Sequence, residues 1–200
     1  MSEALSVHAL EPTETPLTPE SWGKLGMWIF LAGDAMSFGG LIAAYAALRI
    51  GTPTWPQPST ILGIQLTAIM TFLLICSSVT MVKALSAIRH GQRAGLVKFL
   101  ALTIFGGLCF LGMQAYEWHH LIVEEGLAIQ HRLFDATFFI LTGFHGCHVT
   151  GGVIYLFFVM LGGLRGKYSA DHYNGVEIAG LYWHFVDLVW ILIFTFVYLI

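Results

Sequence analysis

Apolar residues gather along this chain in five long runs, at about 25–49, 61–83, 97–117, 136–163 and 177–200, and charged residues collect between them. A helix needs about 20 mostly apolar residues to cross a bilayer. An open strand could not satisfy its backbone in lipid, so each run predicts a transmembrane helix. The pattern reads as an all-α, polytopic membrane protein, a five-transmembrane-helix bundle over 24–200. Residues 1–23 are polar, acidic and broken by Pro12, Pro16 and Pro19. They predict a disordered cytoplasmic tail without a secretory signal.

The connections sharpen this picture. The first contains TPTWPQPS, where Pro53, Pro56 and Pro58 stop any helix and Trp55 suits a membrane interface. The second is short and basic. The third, WHHLIVEEGLAIQHRLFD, is amphipathic and acidic, and the fourth, LRGKYSADHYNG, is basic at its start. With the amino terminus inside, Lys24, Lys83, Arg89, Arg93, Lys98, Arg165 and Lys167 fall at inner margins, and Arg49 and Arg132 fall outside. Seven against two predicts the amino terminus inside and the carboxyl terminus outside. Gly33, Gly39, Gly40, Gly106, Gly107, Gly112, Gly143, Gly146, Gly151 and Gly152 predict close helix approach in a compact bundle.

Composition excludes a globular domain: 56% of residues are apolar, 10% are charged, and mean hydropathy is +0.74. A net charge of −3 with no basic run argues against nucleic acid as a partner. Cys76, Cys109 and Cys147 all fall in apolar runs and read as small buried side chains. No CxxCH, GxGxxG or P-loop pattern is present.

Chemistry enters through the ionisable groups inside the runs. The last run, GLYWHFVDLVWILIFTFVYLI, carries His184 and Asp187. Such a group near the membrane centre costs roughly 3 kcal/mol or more unless partnered. Three residues apart, the two share a helix face with Gly180 and Ile191 that must look into protein, a polar cavity or a head group. Asp34 sits roughly 15 Å into the first helix and His184 roughly 12 Å into the fifth, so Asp34–His184 is the expected pair. The alternative is a separate backbone or hydroxyl partner for each. Asp187 and His148 form a candidate second pair, and His148 could equally serve Asp34. Thr142, His145, His148 and Gly152 share one stripe, and the i, i+3 histidines fit two metal ligands. Nothing nearby completes a ligand set, so hydrogen bonding across helices is the expected use, with no metal and no haem in the chain. Glu117 ends the third run beside Trp118, His119 and His120, and reads as a wet, aromatic-belted helix end. Trp183, Trp190 and Phe194 predict packing or lipid contact, and Tyr182 and Trp118 are further lipid or interface candidates.

GLYWHFVDLVWILIFTFVYL closely resembles the last helix of subunit III of the haem–copper oxidases. FFILTGFHGCHVTGG resembles the fourth helix of that family's five-helix members, matching at Thr142, Gly143, Phe144, His145, Gly146, His148 and Val149. FLGMQAYEW resembles the preceding helix, at Gln114, Tyr116 and Glu117, and GMWIFLAGDAMSFGGLIAAYAALR resembles the first helix of the short form. In the family that first helix usually carries Ser-Glu before a Met. Here Gly33-Asp34-Ala35-Met36 keeps the carboxylate and shortens it by one methylene. The long form has two helices more, which points to a bacterial or archaeal short form in the cell inner membrane.

The resemblance implies a non-catalytic subunit III of a proton-pumping terminal oxidase. Haem and copper would lie in the catalytic subunit I and other oxidase subunits. This chain would pack against them, bind phospholipid in a cleft and support sustained turnover and proton uptake. Its intramembrane groups Asp34, Glu117, His145, His148, His184 and Asp187 are the candidates for that support. Alternatives are a quinol oxidase subunit, the protein that accompanies nitric oxide reductase, a stand-alone proton or small-solute transporter, or an enzyme with a His-ligated metal.

Overall fold

The computed structural model describes residues 22–58, 62–124, 126, 127 and 132–200. Within them lie helices α1 (Trp22–Gly51), α2 (Ile64–Arg89), α3 (Arg93–Val123), α4 (Leu133–Leu164) and α5 (Asn174–Ile193), the last continuing into a π-helical turn (Phe194–Leu199). All five are long and apolar enough to cross a membrane, and among the described residues there is no strand.

The helices outrun the apolar segments that predicted them. α2 continues past residue 83 to Arg89, α3 runs from Arg93 to Val123, and α1 begins at Trp22, taking two residues from the expected tail. The rest of that tail, residues 1–21, lies outside the described residues. Hydropathy marks the lipid slab, whereas a helix stops where its backbone turns. At Gly91 (φ +73) the amide of Gly91 bonds the Ile88 carbonyl and that of Gln92 bonds Ala87. Gly166 (φ +74) closes α4 in the same way onto Gly163 and Gly162. Both are left-handed caps that suit glycine.

Helices α2, α3, α4 and α5 close a four-membered ring, with α2 touching both α3 and α5, and α1 packs outside it on α4 and α5. Glycine sets the ring's closest approaches. A Cβ on Gly107 would lie 2.7 Å from both the Trp183 ring and Val153 Cγ2; on Gly106 it would meet Ser77 Cβ at 2.9 Å, and on Gly152 the Trp183 ring at 3.0 Å. Gly143 and Gly146 similarly seat Trp118 and Gln114. The expected packing role fails for Gly33, Gly39, Gly40 and Gly112, where a Cβ would meet nothing within 4 Å. These face outward, as do Cys76 and Cys147, while Cys109 is half-buried. The expectation of three buried cysteines is therefore wrong, since in a lipid-exposed bundle an apolar run has an outer face as apolar as its inner one.

At one end, Glu177 on α5 joins Lys24 of α1 (3.0 Å) and Arg89 of α2 (3.3 Å), and Arg89 also lies over the Tyr173 ring. This basic end gathers the margins that carry Lys83, Arg93, Lys98 and Arg165. At the far end the Arg49 guanidinium donates to the Ile200 carbonyl, and Trp55 packs edge-on between Tyr45 and Phe134.

Candidate functional site: three polar nodes between the helices

The intramembrane polar groups sort into three nodes, each joining different helices. The first ties α1 to the ring. Asp34 Oδ2 lies 3.1 Å from His148 Nε2, both side chains about one-seventh exposed. The ring nitrogen is at ion-pair distance, and Asp34 Oδ2 makes no aligned hydrogen bond there. His148 Nδ1–H donates to the Phe144 carbonyl at 2.8 Å, which fixes the ring and turns Nε2 toward Asp34. The Tyr182 hydroxyl donates to the His148 carbonyl at 2.9 Å, and Phe38 packs on the His148 ring at 5.1 Å. Phe38 itself is buried, which holds this face of α1 inward.

The expected Asp34–His184 pair is not formed. His184 Nδ1 instead meets Ser78 Oγ at 2.6 Å across α5 and α2. Asp187 shares the same hydroxyl, so the expected Asp187–His148 pair is absent too. A serine has one proton. Donated to the Asp187 carboxylate, it leaves Ser78 Oγ to accept from His184 Nδ1–H, which makes a relay of carboxylate, hydroxyl and imidazole. Asp187 is buried, and its Oδ1 has no protein partner. Matched depth is one coordinate only; the azimuth of α1 and α5 on the ring decides the partner, and it puts His148 beside Asp34.

Further hydroxyls extend this second node along α2. Trp183 Nε1–H donates to Ser77 Oγ at 3.1 Å, Trp190 Nε1–H to Thr71 Oγ1 at 3.0 Å, and Thr80 meets Thr103 of α3 at 2.7 Å. Trp183 and Trp190 are fully buried, so of the two expected uses, packing holds and lipid contact does not. Tyr182 and Trp118 are half-buried.

The third node is a correction at Glu117. It is buried rather than a wet helix end, because α3 continues beyond it. Thr67 Oγ1 donates to Glu117 Oε1 at 3.1 Å, and the Tyr198 hydroxyl donates to Oε2 at 3.0 Å. The π-helical turn that ends α5 carries the buried Tyr198. A π-turn widens the helix locally and re-aims its side chains.

His145 belongs to none of these nodes. It is fully buried, with Trp190 at 4.9 Å, Phe110 edge-on at 5.7 Å and no protein partner at either nitrogen. The i, i+3 pair His145 and His148 thus diverges, one ring entering an aromatic cage and the other meeting Asp34. Among the described residues, no three His, Cys, Asp or Glu side chains converge as metal ligands would.

Sequence reasoning did not single out Thr67, Thr71, Ser77, Ser78 or Tyr198 as partners. The signal for four of them was present: hydroxyl residues recur at 67, 71, 77, 78 and 80 in an otherwise apolar run. Tyr198 had none, since its approach to Glu117 depends on the π-turn.

Comparison with known proteins adds the final strand. The profile of the family "Cytochrome c oxidase subunit III" matches residues 6–200. "Cytochrome c oxidase subunit 3" of Synechocystis sp. is 42% identical over 177 residues, covering 88% of this chain and 74% of that protein. Its counterpart in Bacillus subtilis is 35% identical over 202 residues, covering 100% and 97%. "Cytochrome bo(3) ubiquinol oxidase subunit 3" of Pseudomonas putida is 36% identical over 176 residues, covering 88% and 84%. With five spans, inward-turned polar nodes and a match over nearly its whole length, the chain belongs to the cytochrome c oxidase subunit III family.

Proposed function

We propose that this chain serves its oxidase as a supporting subunit without a redox centre of its own. Haem and copper sit in a catalytic haem–copper subunit against which this bundle packs, together with other oxidase subunits and bound phospholipid, in a bacterial or archaeal inner membrane. The observation that carries the reading is how the ionisable groups are spent. Asp34 and His148 hold α1 to α4, Ser78 gathers His184 and Asp187 between α2 and α5, and Glu117 is closed by Thr67 and Tyr198. Each node fixes helix against helix.

Proton-holding groups at these positions give the subunit a means to support proton uptake by its partner.

Removing the subunit from the purified oxidase tests this role. The depleted complex is expected to start at near-normal oxygen-reduction rates and then to lose activity or proton coupling over successive turnovers. Immediate and complete loss of oxygen reduction with the partner's haems intact would assign chemistry to this chain.

A further inference from the structure

A cavity of about 420 Å³ lies between α1 and α5. The Lys24–Glu177 contact sets the starts of the two helices at one level. Counted from there, the cavity runs from Trp28 and Leu181 to Ala35 and Leu188, with His184 midway. The imidazole sits roughly 10 Å along the helix from that contact. The groove opens sideways from the bundle, since Trp28, Ala32, Ala35 and Leu188 are exposed. Small-molecule sites span about 300–1,000 Å³, and this one falls among them.

Its walls hold a single acceptor side chain. Apart from His184 the lining side chains are aliphatic or aromatic, and the Trp28 indole is a donor only. The acceptor is made by the relay behind it. Ser78 spends its one proton on Asp187 and receives that of His184 Nδ1–H across 2.6 Å. An uncharged imidazole with its proton at Nδ1 carries a lone pair and no proton at Nε2. Among the described residues nothing reaches Nε2 at hydrogen-bond distance, and unlike the nitrogens of His145 it is not sealed from the surface. An acyl chain in the groove would leave that lone pair without a donor, a costly arrangement away from water. The fitting occupant is apolar over most of its surface and brings one hydroxyl.

The geometry points to a binding site for a membrane-soluble hydroquinone. Its ring lies between α1 and α5, one hydroxyl donates to His184 Nε2, and the Trp28 N–H offers its second oxygen a donor. The corresponding quinone presents only acceptors, so its oxygen faces the His184 lone pair unfavourably and the site selects the reduced form. Ser78 and Asp187 are positioning residues, which act on the ligand by fixing the tautomer of His184. The inference depends on the chain crossing a membrane and on this relay, and not on the supporting role in the oxidase, so subunit-depletion results leave it standing.

Its test is ligand titration under argon of the full chain in mild detergent, and of the intact oxidase, read by native mass spectrometry. The probes are decylhydroquinone, its dimethyl ether and the corresponding quinone. The hydroquinone is expected to bind the chain about fivefold more tightly than either, the net effect of one hydrogen bond. His184→Leu should bring the three to parity. Ser78→Ala should free the imidazole to take its other tautomer and raise quinone binding to near that of the hydroquinone, which a mere loss of packing would not do. Ala32→Leu, at an exposed position on the groove wall, should weaken all three. Equal binding of the three probes by the unaltered chain would overturn the proposal without recourse to any variant. So would a preference that survives His184→Leu, or displacement of the hydroquinone by equimolar phosphatidylglycerol, which would mark a lipid groove. An effect of His184→Leu in the free chain but none in the intact oxidase would also overturn it, by showing that a partner's helix fills the groove.

Discussion

The ring of α2 to α5 and the outlying α1 are equally apolar in sequence but are held in opposite ways. Inside the ring, glycines bring backbones together and hydroxyls tie helix to helix, as at Gly106 and Gly107, Ser77 with Trp183, and Thr71 with Trp190. α1 buries only Leu31, Phe38 and Tyr45, and its glycines face open space. It is fixed by discrete ties: Lys24 on Glu177 at the basic end, Asp34 on His148 in the middle, and Arg49 on Ile200 at the far end. Lipid is as apolar as a leucine side chain, so hydropathy alone cannot choose a helix's neighbours. Close packing chooses them in the ring, and polar contacts choose them for α1.

The sharpest way to break this contrast is to put the same kind of change in both regions. Gly107→Val should destabilise the fold by about 3 kcal/mol, because the ring of Trp183 and the side chain of Val153 cannot retreat together. Gly33→Ala on α1 should be neutral or stabilise by up to about 1 kcal/mol, the helix-propensity gain at an open site. Equal losses in thermal unfolding of the two variants would mean that α1 is packed as the ring is. Next in size is Ser77→Ala, which strands the buried Trp183 N–H and should cost about 1–2 kcal/mol. Indole fluorescence should report the altered tryptophan, and an unchanged spectrum with unchanged stability would remove the hydroxyl ties from the comparison. The smallest effect belongs to Glu177→Gln. This half-buried interfacial pairing contributes about 1 kcal/mol or less, and salt should erase much of the difference. A loss that persists undiminished at high salt would mean that the basic end holds α1 more firmly than the middle does.

How much of this was legible in the sequence follows from the same contrast. The five spans were readable because crossing a bilayer demands length and apolarity, which composition records directly. Helix ends were not, since Arg89 and Val123 continue helices beyond the lipid slab and the stops depend on turns such as Gly91. That Asp34 and His184 needed partners was legible from their cost in lipid; which partners they took was not. Depth admits several imidazoles, and only the placement of α1 on α4 and α5 selects His148. Glu117 reads as wet because its apolar run ends there while the helix does not, and its two donors come from α2 and from a π-turn with no sequence signature. The inward or outward sense of each glycine also stayed hidden, because a small residue serves close packing and bare lipid exposure alike.

The claim on which α1's position rests is that Asp34 answers to His148 and not to His184, and a pair of double-mutant cycles measures it. Asp34→Asn combined with His148→Gln should be non-additive by about 1 kcal/mol or more in unfolding of the full chain. Asp34→Asn combined with His184→Gln should add to within about 0.5 kcal/mol. Coupling to His184 with strict additivity at His148 would contradict the observed node and return α1 to a different azimuth on the ring.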